Sequence, residues 1–151
     1  FLTNIGKNLN MILPTEANTS STSDKLTAIW LSPDEWMIVS NEIVNKDTNK
    51  HELYEMLFNS ISKTNLGAVI DITDQFVQLE LKGENIYEIF SAGSPFNFNE
   101  FKEKKGSTTQ TVLNNIDVIL HNKEENAVNL FVRRSFAEHL CSWIEDGASR
   151  L

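Results

Sequence analysis

Cysteine is almost absent from this sequence, since Cys141 is the only one among 151 residues. A single thiol excludes an internal disulfide and any metal site built from several thiolates, and we interpret Cys141 as a small packed residue. The three histidines, His51, His121 and His139, share no metal-ligand spacing. Because a metal site demands a defined number of ligands in a defined geometry, we expect no metal ion in this chain.

Long apolar runs are also missing. No stretch reaches the ~20 apolar residues that a membrane-spanning helix needs. Polar side chains soon follow Phe1, where a signal peptide would have a long apolar core. We therefore expect a cytoplasmic protein that has no membrane partner. Because Phe1 rather than Met begins the sequence, we also expect that further residues precede it in the natural chain.

Positive charge is scarce: Lys and Arg number 13 against 21 Asp and Glu, which gives a net charge of −8. A surface of this sign repels phosphate backbones, so nucleic-acid binding is not expected. The hydrophobic fraction of 40% and the charged fraction of 23% are those of an ordinary globular protein. A chain of this length suits one compact unit, and we predict a single domain over residues 1–151.

Motifs of catalysis are missing as well. The six glycines are too scattered for a phosphate-binding loop, and no Gly-x-Ser-x-Gly nucleophile turn occurs. Asp71 and Asp74 bracket a predicted turn and could be imagined as an acid–base pair. Carboxylates spaced in this way at the end of a strand are usually turn formers, so we favour that interpretation. We expect no catalytic or cofactor-binding residue in this chain.

The chain is organised around residues Gly67–Phe90, where two strands and a helix are predicted in quick succession. Gly67–Ile72 is a mostly apolar run with β-branched residues, which is typical of a strand covered on both faces. Phe76–Lys82 alternates apolar and polar residues, which predicts a half-buried strand. From Ile86 onwards apolar residues recur at helical spacing, and Gly93 is the predicted end of that helix.

Short strands are predicted on both sides of this central stretch. A polar, Ser- and Thr-rich loop is expected over residues 15–25, and a second loop with a short helical turn at Asn99–Lys102 over residues 91–106. A proline turn and two Asn-rich turns separate the strands. The remaining strand predictions are Leu9–Leu13, Thr27–Leu31, Glu35–Val39, Thr108–Leu113, Ile116–His121 and Ala127–Arg133.

Two further helices carry capping signals. Asn49 and Glu52 are spaced as a capping box, and so are Ser135 and Glu138, with Gly147 as the end of the last helix. The order ββ-α-ββ-α-βββ-α predicts the α+β class, with antiparallel sheets, helices on one side and two halves that resemble split βαβ units. The apolar face of the earlier helix is predicted to consist of Leu53, Met56, Leu57 and Ile61.

Arg133 and Arg134 stand at the predicted start of the last helix, where positive charge opposes the helix dipole at a cost of roughly 0.3–1 kcal/mol. Something acidic should offset this cost. We favour an internal pair with Asp71, Asp74 or Glu138, because carboxylates are abundant in this chain. The alternative is a bound anion or a carboxylate of a partner protein.

Trp30 and Trp36 flank the predicted hairpin turn near the start of the chain. Tryptophan is common in protein cores and also enriched in protein interfaces, so both interpretations stay open. Together with Arg133 and Arg134, the two tryptophans form our candidate partner interface.

Five segments resemble the motifs of one family, in the same order along the chain. Ala28–Val39 (AIWLSPDEWMIV) resembles W-L-x-P-D-E-W-L-L, and Val69–Gln75 (VIDITDQ) resembles V-D-x-S-D-Q. Leu79–Gly83 (LELKG) resembles L-x-L-x-G, and Ala92–Pro95 (AGSP) resembles the start of x-G-C-P-x-D-L. Val132–Trp143 (VRRSFAEHLCSW) resembles V-x-R-S-F-A-x-Y-L-x-x-W. Together they resemble the gamma subunit of heterotetrameric sarcosine oxidase.

The resemblance implies a fold similar to the folate-binding domain of aminomethyltransferase and a role as a packed accessory subunit. The whole enzyme of this family oxidatively demethylates sarcosine to glycine, producing hydrogen peroxide and, with tetrahydrofolate, methylenetetrahydrofolate. FAD, FMN, NAD and tetrahydrofolate are then expected on the alpha, beta and delta partner subunits and not on this chain. Ser94 stands where the family often has Cys, Asn97 stands where Asp is expected, and residues 1–26 match little.

Two other hypotheses stay open. The first is a stand-alone folate-binding or aminomethyl-transferring protein on the same fold. Its relatives in iron–sulfur assembly are expected to carry a K-G-C-Y-x-G-Q stretch, which does not occur here. The second is a general interaction module that serves some other oxidase.

Overall fold

The computed structural model describes residues 2–40 and 52–151. The chain divides into two compact units, Phe1–Asp71 (unit 1) and Ile72–Leu151 (unit 2). The prediction of one domain over residues 1–151 stays a prediction. The helices are α1 Leu2–Leu9, α2 Glu52–Ile61, α3 Ile86–Gly93, α4 Asn99–Glu103 and α5 Arg134–Ala148. The strands are β1 Ser20–Thr22, β2 Leu26–Ser32, β3 Glu35–Ser40, β4 Phe76–Lys82, β5 Thr108–Leu113, β6 Ile116–Glu124 and β7 Ala127–Arg133.

The sheet of unit 1 is antiparallel, with strand order β1-β2-β3. The predicted hairpin is confirmed: β2 and β3 pair across a two-residue turn at Pro33 and Asp34, where Ser32 Oγ donates to Asp34 Oδ1 at 2.7 Å. The prediction that residues 15–25 form a loop is wrong for Ser20–Thr22. These residues form β1, which pairs with β2. Polar Ser and Thr side chains suit an edge strand that has solvent on one side.

The predicted strand at Leu9–Leu13 is wrong, because Leu9 is the last residue of helix α1. Leu2, Ile5 and Leu9 share one helical face, and the last two are buried. The helix ends in a left-handed residue, Asn10, whose φ is 51°. The Asn10 N–H donates to the Lys7 carbonyl and the Met11 N–H donates to the Gly6 carbonyl, which together form a Schellman motif.

Helices α1 and α2 pack on one face of the unit 1 sheet. Asn8 Nδ2 donates to Ser60 Oγ at 2.8 Å and joins the two helices. The apolar face predicted for α2 is correct except at Met56, which is exposed. Of the capping box predicted there, Asn49 lies outside the described residues. The buried core of this unit consists of Ile5, Leu9, Leu13, Ala28, Leu57 and Ile61.

The strand predicted at Gly67–Ile72 is wrong. Among the described residues this stretch pairs with no strand, and Ile70 is 74% exposed while its neighbour Val69 packs against the unit 1 core. A β-branched run forms a strand only where a neighbouring strand supplies hydrogen-bond partners, so β-propensity alone is a weak guide. The segment instead carries the chain from unit 1 to unit 2.

The sheet of unit 2 is antiparallel, with strand order β4-β7-β6-β5. The four strands predicted for this region are all confirmed, and β6 runs three residues beyond its predicted end. Asn114 and Asn115 join β5 to β6 with φ values of 50° and 63°. Two consecutive left-handed residues are what a type I′ hairpin turn requires, and Asn tolerates this conformation better than most residues.

Helices α3, α4 and α5 pack on one face of this sheet and bury its apolar side chains. The α+β class with antiparallel sheets is therefore confirmed. Within unit 2, α3 and α4 connect β4 to β5. These two strands lie at opposite edges of the sheet, and β7 and β6 lie between them. The fully buried centre of the core is formed by Phe90, Leu113, Leu120, Val128, Leu130, Val132 and Leu140.

Candidate functional site

The two tryptophans of the candidate interface lie directly opposite each other on β2 and β3. Trp36 Nε1 donates to the Pro14 carbonyl at 2.7 Å, and its ring packs against the core of unit 1. Trp30 is also half-buried. Trp36 thus supports the fold of unit 1, and the interface interpretation of both tryptophans stays a prediction. The arginines of the same candidate interface belong to unit 2.

Arg133 and Arg134 are both exposed at the junction of β7 and α5. The Arg133 guanidinium lies over the ring of Phe76, 5.4 Å from its centroid, in a cation–π contact between paired strands. Arg134 Nε donates to the Asp74 carbonyl at 2.8 Å, and its Nη2 lies 3.8 Å from Asp74 Oδ1. The favoured internal pair is thus confirmed for Arg134 with Asp74.

The predicted cap of the last helix is wrong, because α5 begins at Arg134 and Ser135 is already its second residue. Arg133 occupies the cap position in an extended conformation, and no side chain caps the helix there. Strand β7 runs directly into α5, and the Arg134 N–H donates to the Gln75 carbonyl next to β4. Strand pairing therefore sets where this helix begins. At the other end α5 continues past Gly147 to Ala148.

The two aspartates of the predicted turn lie on opposite sides of the boundary between the units, Asp71 in unit 1 and Asp74 in unit 2. Both are exposed. Arg134 donates a hydrogen bond to the main-chain carbonyl of Asp74 and forms an ion pair with the Asp74 carboxylate, as described above. This contact agrees with the turn-forming interpretation of Asp74, and a catalytic role for the two carboxylates gains no support from it.

His121 is the one histidine among the described residues that is buried, with 4% of its surface exposed. Burial, and to a smaller extent the charge of Lys123, lowers the pKa of His121 to about 4. Its Nδ1 lies 3.4 Å from Asn129 Nδ2, on the adjoining strand, and Asn129 Oδ1 has no partner among the described residues. Asn129 Nδ2–H can donate to Nδ1 of the neutral ring when the ring proton is on Nε2.

Asn122, the next residue on β6, is 1% exposed, and sequence patterns did not single it out. Its Nδ2 lies 2.7, 3.3 and 3.2 Å from the main-chain carbonyl oxygens of Phe101, Lys102 and Lys104. A single amide thereby satisfies the carbonyls of Phe101 and Lys102 in the five-residue helix α4 and also contacts that of Lys104, which accepts from the Ser107 N–H as well. Strand β6 (IDVILHNKE) contains several polar residues, so no pattern in the sequence marked Asn122 for this structural role.

His139 and Cys141 both lie on α5. His139 Nε2 lies 3.4 Å from Asn114 Nδ2, and Cys141 is a half-buried free thiol. In the described part of the chain, no three His, Cys, Asp or Glu residues are grouped so that they could hold a metal ion. His51 lies outside the described residues.

Two adjoining shallow depressions of about 260 Å³ each flank helices α3 and α5 in unit 2. The first is lined by Trp143 and Ile89 and rimmed by charged side chains, among which Arg150 pairs with Asp146 at 2.7 Å. The second lies at the start of α3 around Asn85. No histidine or cysteine lines either depression, and neither has the mixture of enclosure and convergent polar groups typical of a ligand pocket.

Comparison with known proteins identifies the family. Residues 1–150 match the sequence profile of the family described as sarcosine oxidase, gamma subunit family. The chain belongs to the sarcosine oxidase gamma subunit family. No curated protein sequence matches it significantly.

The fold of this chain is similar to that of a chain in one solved structure, and this similarity is consistent with the family. The solved structure is described as heterotetrameric sarcosine oxidase from Corynebacterium sp. U-96 in complex with pyrrole 2-carboxylate. The matched chain is 22% identical with a TM-score of 0.85, and the match covers 98% of the present chain and 72% of that chain. The family match begins at residue 1, so it includes residues 1–26, which show little motif resemblance. In the part of the chain that the structure describes, no helix is long and apolar enough to span a membrane.

Proposed function

We propose that this chain is a non-catalytic accessory subunit of a heterotetrameric sarcosine oxidase, where it packs against the large alpha subunit. The observation that carries the proposal is the family match over residues 1–150. The fold supports it, because the similar solved structure is a chain of a complex of that name and the match covers nearly all of the present chain.

The proposed complex oxidatively demethylates sarcosine to glycine in the cytoplasm and passes the one-carbon unit to tetrahydrofolate. In this proposal FAD, FMN, NAD and the folate are held by the alpha, beta and delta subunits. The present chain contributes surface and two folded cores. The buried polar residues of unit 2 fit such a structural role. The side-chain amide of Asn122, for example, donates a hydrogen bond to a main-chain carbonyl of helix α4.

Co-expression tests the proposal. Candidate alpha, beta and delta subunits are produced with and without this chain, and the amount of assembled flavoprotein is measured together with sarcosine-dependent hydrogen peroxide production per flavin. We expect assembly or turnover to fall sharply when the chain is omitted. If the flavin-bearing subunits assemble and turn over identically without it, the proposal is wrong.

A titration distinguishes the accessory role from the stand-alone folate-binding alternative. The purified full-length chain is titrated calorimetrically with a reduced folate. The accessory role predicts no saturable heat of binding for the isolated chain. A saturable signal with one site per chain would support the alternative instead.

A further inference from the structure

Strand β4 lies at an edge of the unit 2 sheet and pairs along its whole length with β7, with no shift of register. Just outside its two ends, the Arg134 N–H donates to the Gln75 carbonyl, and the Gly83 N–H donates to the Asn126 carbonyl. In an antiparallel ladder only every second residue of a strand bonds a given neighbour. The odd-numbered residues of β4 therefore bond β7, and the even-numbered residues point their main-chain groups away from it.

The main-chain N–H and carbonyl groups of Gln78, Glu80 and Lys82 thus line the side of β4 that faces away from β7, which we call the free edge. The side chains of all three residues are exposed. Among the described residues, no main-chain group forms a hydrogen bond with these N–H and carbonyl groups. The free edge is therefore a row of main-chain donors and acceptors without strand partners.

The free edge lacks most of the features by which proteins protect an unpaired strand. Such strands are commonly very short, bent by a bulge, interrupted by proline or lined with charged side chains. Strand β4 has seven residues, no proline and no bulge in its pairing with β7. Its charged side chains are paired inside the chain, because Lys82 Nζ and Lys123 Nζ lie 2.6 and 3.1 Å from carboxylate oxygens of Glu80. An incoming strand therefore meets no unpaired charge of β4.

The side chains beside the free edge define what can bind there. Val77, Leu79 and Leu81 lie on the side of the sheet that the helices cover, and all three are only partly buried against the core. Leu81 also lines the second depression, together with Ile144 of α5 and the exposed Leu151. A strand added at the free edge places every second side chain next to this apolar row and towards the depression.

We propose that the free edge of β4 binds an extended segment of a larger partner subunit as a fifth strand, with every second side chain of that segment apolar and on the helix side. The alternating N–H and carbonyl dipoles of the edge are complementary to those of an extended strand, whereas a helix bonds its main-chain groups internally. The inference rests on the proposed function, which supplies a partner subunit rather than a second copy as the source of the strand.

A proline substitution with a matched control tests the inference. The full-length chain carrying Gln78→Pro is co-expressed with a tagged alpha subunit and the beta and delta subunits, and the amount of chain that co-purifies is measured. Proline removes an N–H of the free edge and leaves the bonds between β4 and β7 in place. The control, Gln78→Ala, loses the same side chain and keeps the N–H. We expect Gln78→Pro to co-purify roughly tenfold less than wild type, and Gln78→Ala to behave as wild type.

Hydrogen exchange in the wild-type complex is a second measurement that does not depend on the folding of a variant. The amides of Val77 and Leu79 bond β7, so they exchange slowly. A strand on the free edge protects the amides of Gln78 and Glu80 as well, and we expect them to exchange within about tenfold of the rates of Val77 and Leu79. Exchange of Gln78 and Glu80 at the rate of an unstructured chain overturns the inference.

Each other outcome also decides. Equal retention of wild type and Gln78→Pro overturns the inference but leaves the proposed function standing. Equal losses in Gln78→Pro and Gln78→Ala overturn it too, because the contact is then made by the side chain. A loss only of self-association of the chain has the same consequence, since the occupant is then a second copy. If wild type itself does not co-purify, the proposed function and the inference both fall. Should Gln78→Pro be insoluble, the exchange rates decide.

Discussion

Acidification should destabilise this protein through one buried histidine. His121 is 4% exposed in the folded chain, and its pKa is lowered from 6.5 to about 4 by burial and by the charge of Lys123. The unfolded chain takes up a proton near pH 6.5, whereas the folded chain does so only near pH 4. The stabilising contribution of neutral His121 is therefore fully present above pH 6.5 and is lost as the pH falls from 6.5 towards 4.

The magnitude follows from the two pKa values. The interval between 6.5 and about 4, at about 1.36 kcal/mol for each pH unit, amounts to roughly 3 kcal/mol. That is a large part of the about 5–15 kcal/mol by which natural domains are stable. Below pH 4 both states are protonated at this residue, so its contribution to the pH dependence ends there.

Urea denaturation at a series of pH values from 7.5 to 4 measures the effect. We expect the free energy of unfolding of His121→Gln to fall less steeply over this range than that of wild type, by up to roughly 3 kcal/mol in total. His139→Gln, at an exposed histidine position, is the matched control and should keep the wild-type slope. If wild type and His121→Gln show the same pH dependence, the reasoning about this buried ring is refuted.

Three further substitutions test the packing within each unit, and denaturant unfolding measures the effect of each on stability. Gly93→Ala places a Cβ 2.6 Å from Trp143 Cζ2, so we expect a loss of about 1–3 kcal/mol, and a stability equal to wild type would contradict the close approach. Asn122→Ala removes the amide that hydrogen-bonds the carbonyls of α4 and should cost about 1–3 kcal/mol, whereas a neutral result would show that water replaces it. Trp36→Phe keeps an aromatic ring but loses the hydrogen bond to the Pro14 carbonyl, with an expected loss of about 1 kcal/mol. No measurable change in this variant would mean that the hydrogen bond is not important.

Alternation and turn chemistry predicted much of the fold correctly. Strand β4 is half-buried as its period of two indicates, and the Asn114–Asn115 turn joins β5 to β6 as expected. These predictions are correct because both signals are local. Alternation in a strand reflects which side chains face the core, and a left-handed turn position is usually Asn or Gly. Helix α1 also had a local signal in Leu2, Ile5 and Leu9, and the strand prediction overlooked it.

The wrong predictions depend on distant parts of the chain. Gly67–Ile72 has the composition of a buried strand but no strand partner among the described residues. The start of α5 is set by the pairing of β7 with β4, and this overrides the capping preference of Ser135. Of the candidate interface, the sequence indicated Arg133 and Arg134 through their conflict with the helix dipole. It did not indicate Phe76. The ring of Phe76 lies beside Arg133 only because β4 pairs with β7.

The central claim is that this chain works as a subunit held by larger partners. Native mass spectrometry of the complex purified through a tagged alpha subunit, after co-expression with beta, delta and this chain, tests that claim most directly. The account predicts a main species whose mass includes one copy of the 17.2 kDa chain alongside the other three subunits. A complete, active complex of the other three subunits, with the 17.2 kDa chain found only in the unbound fraction, would contradict it.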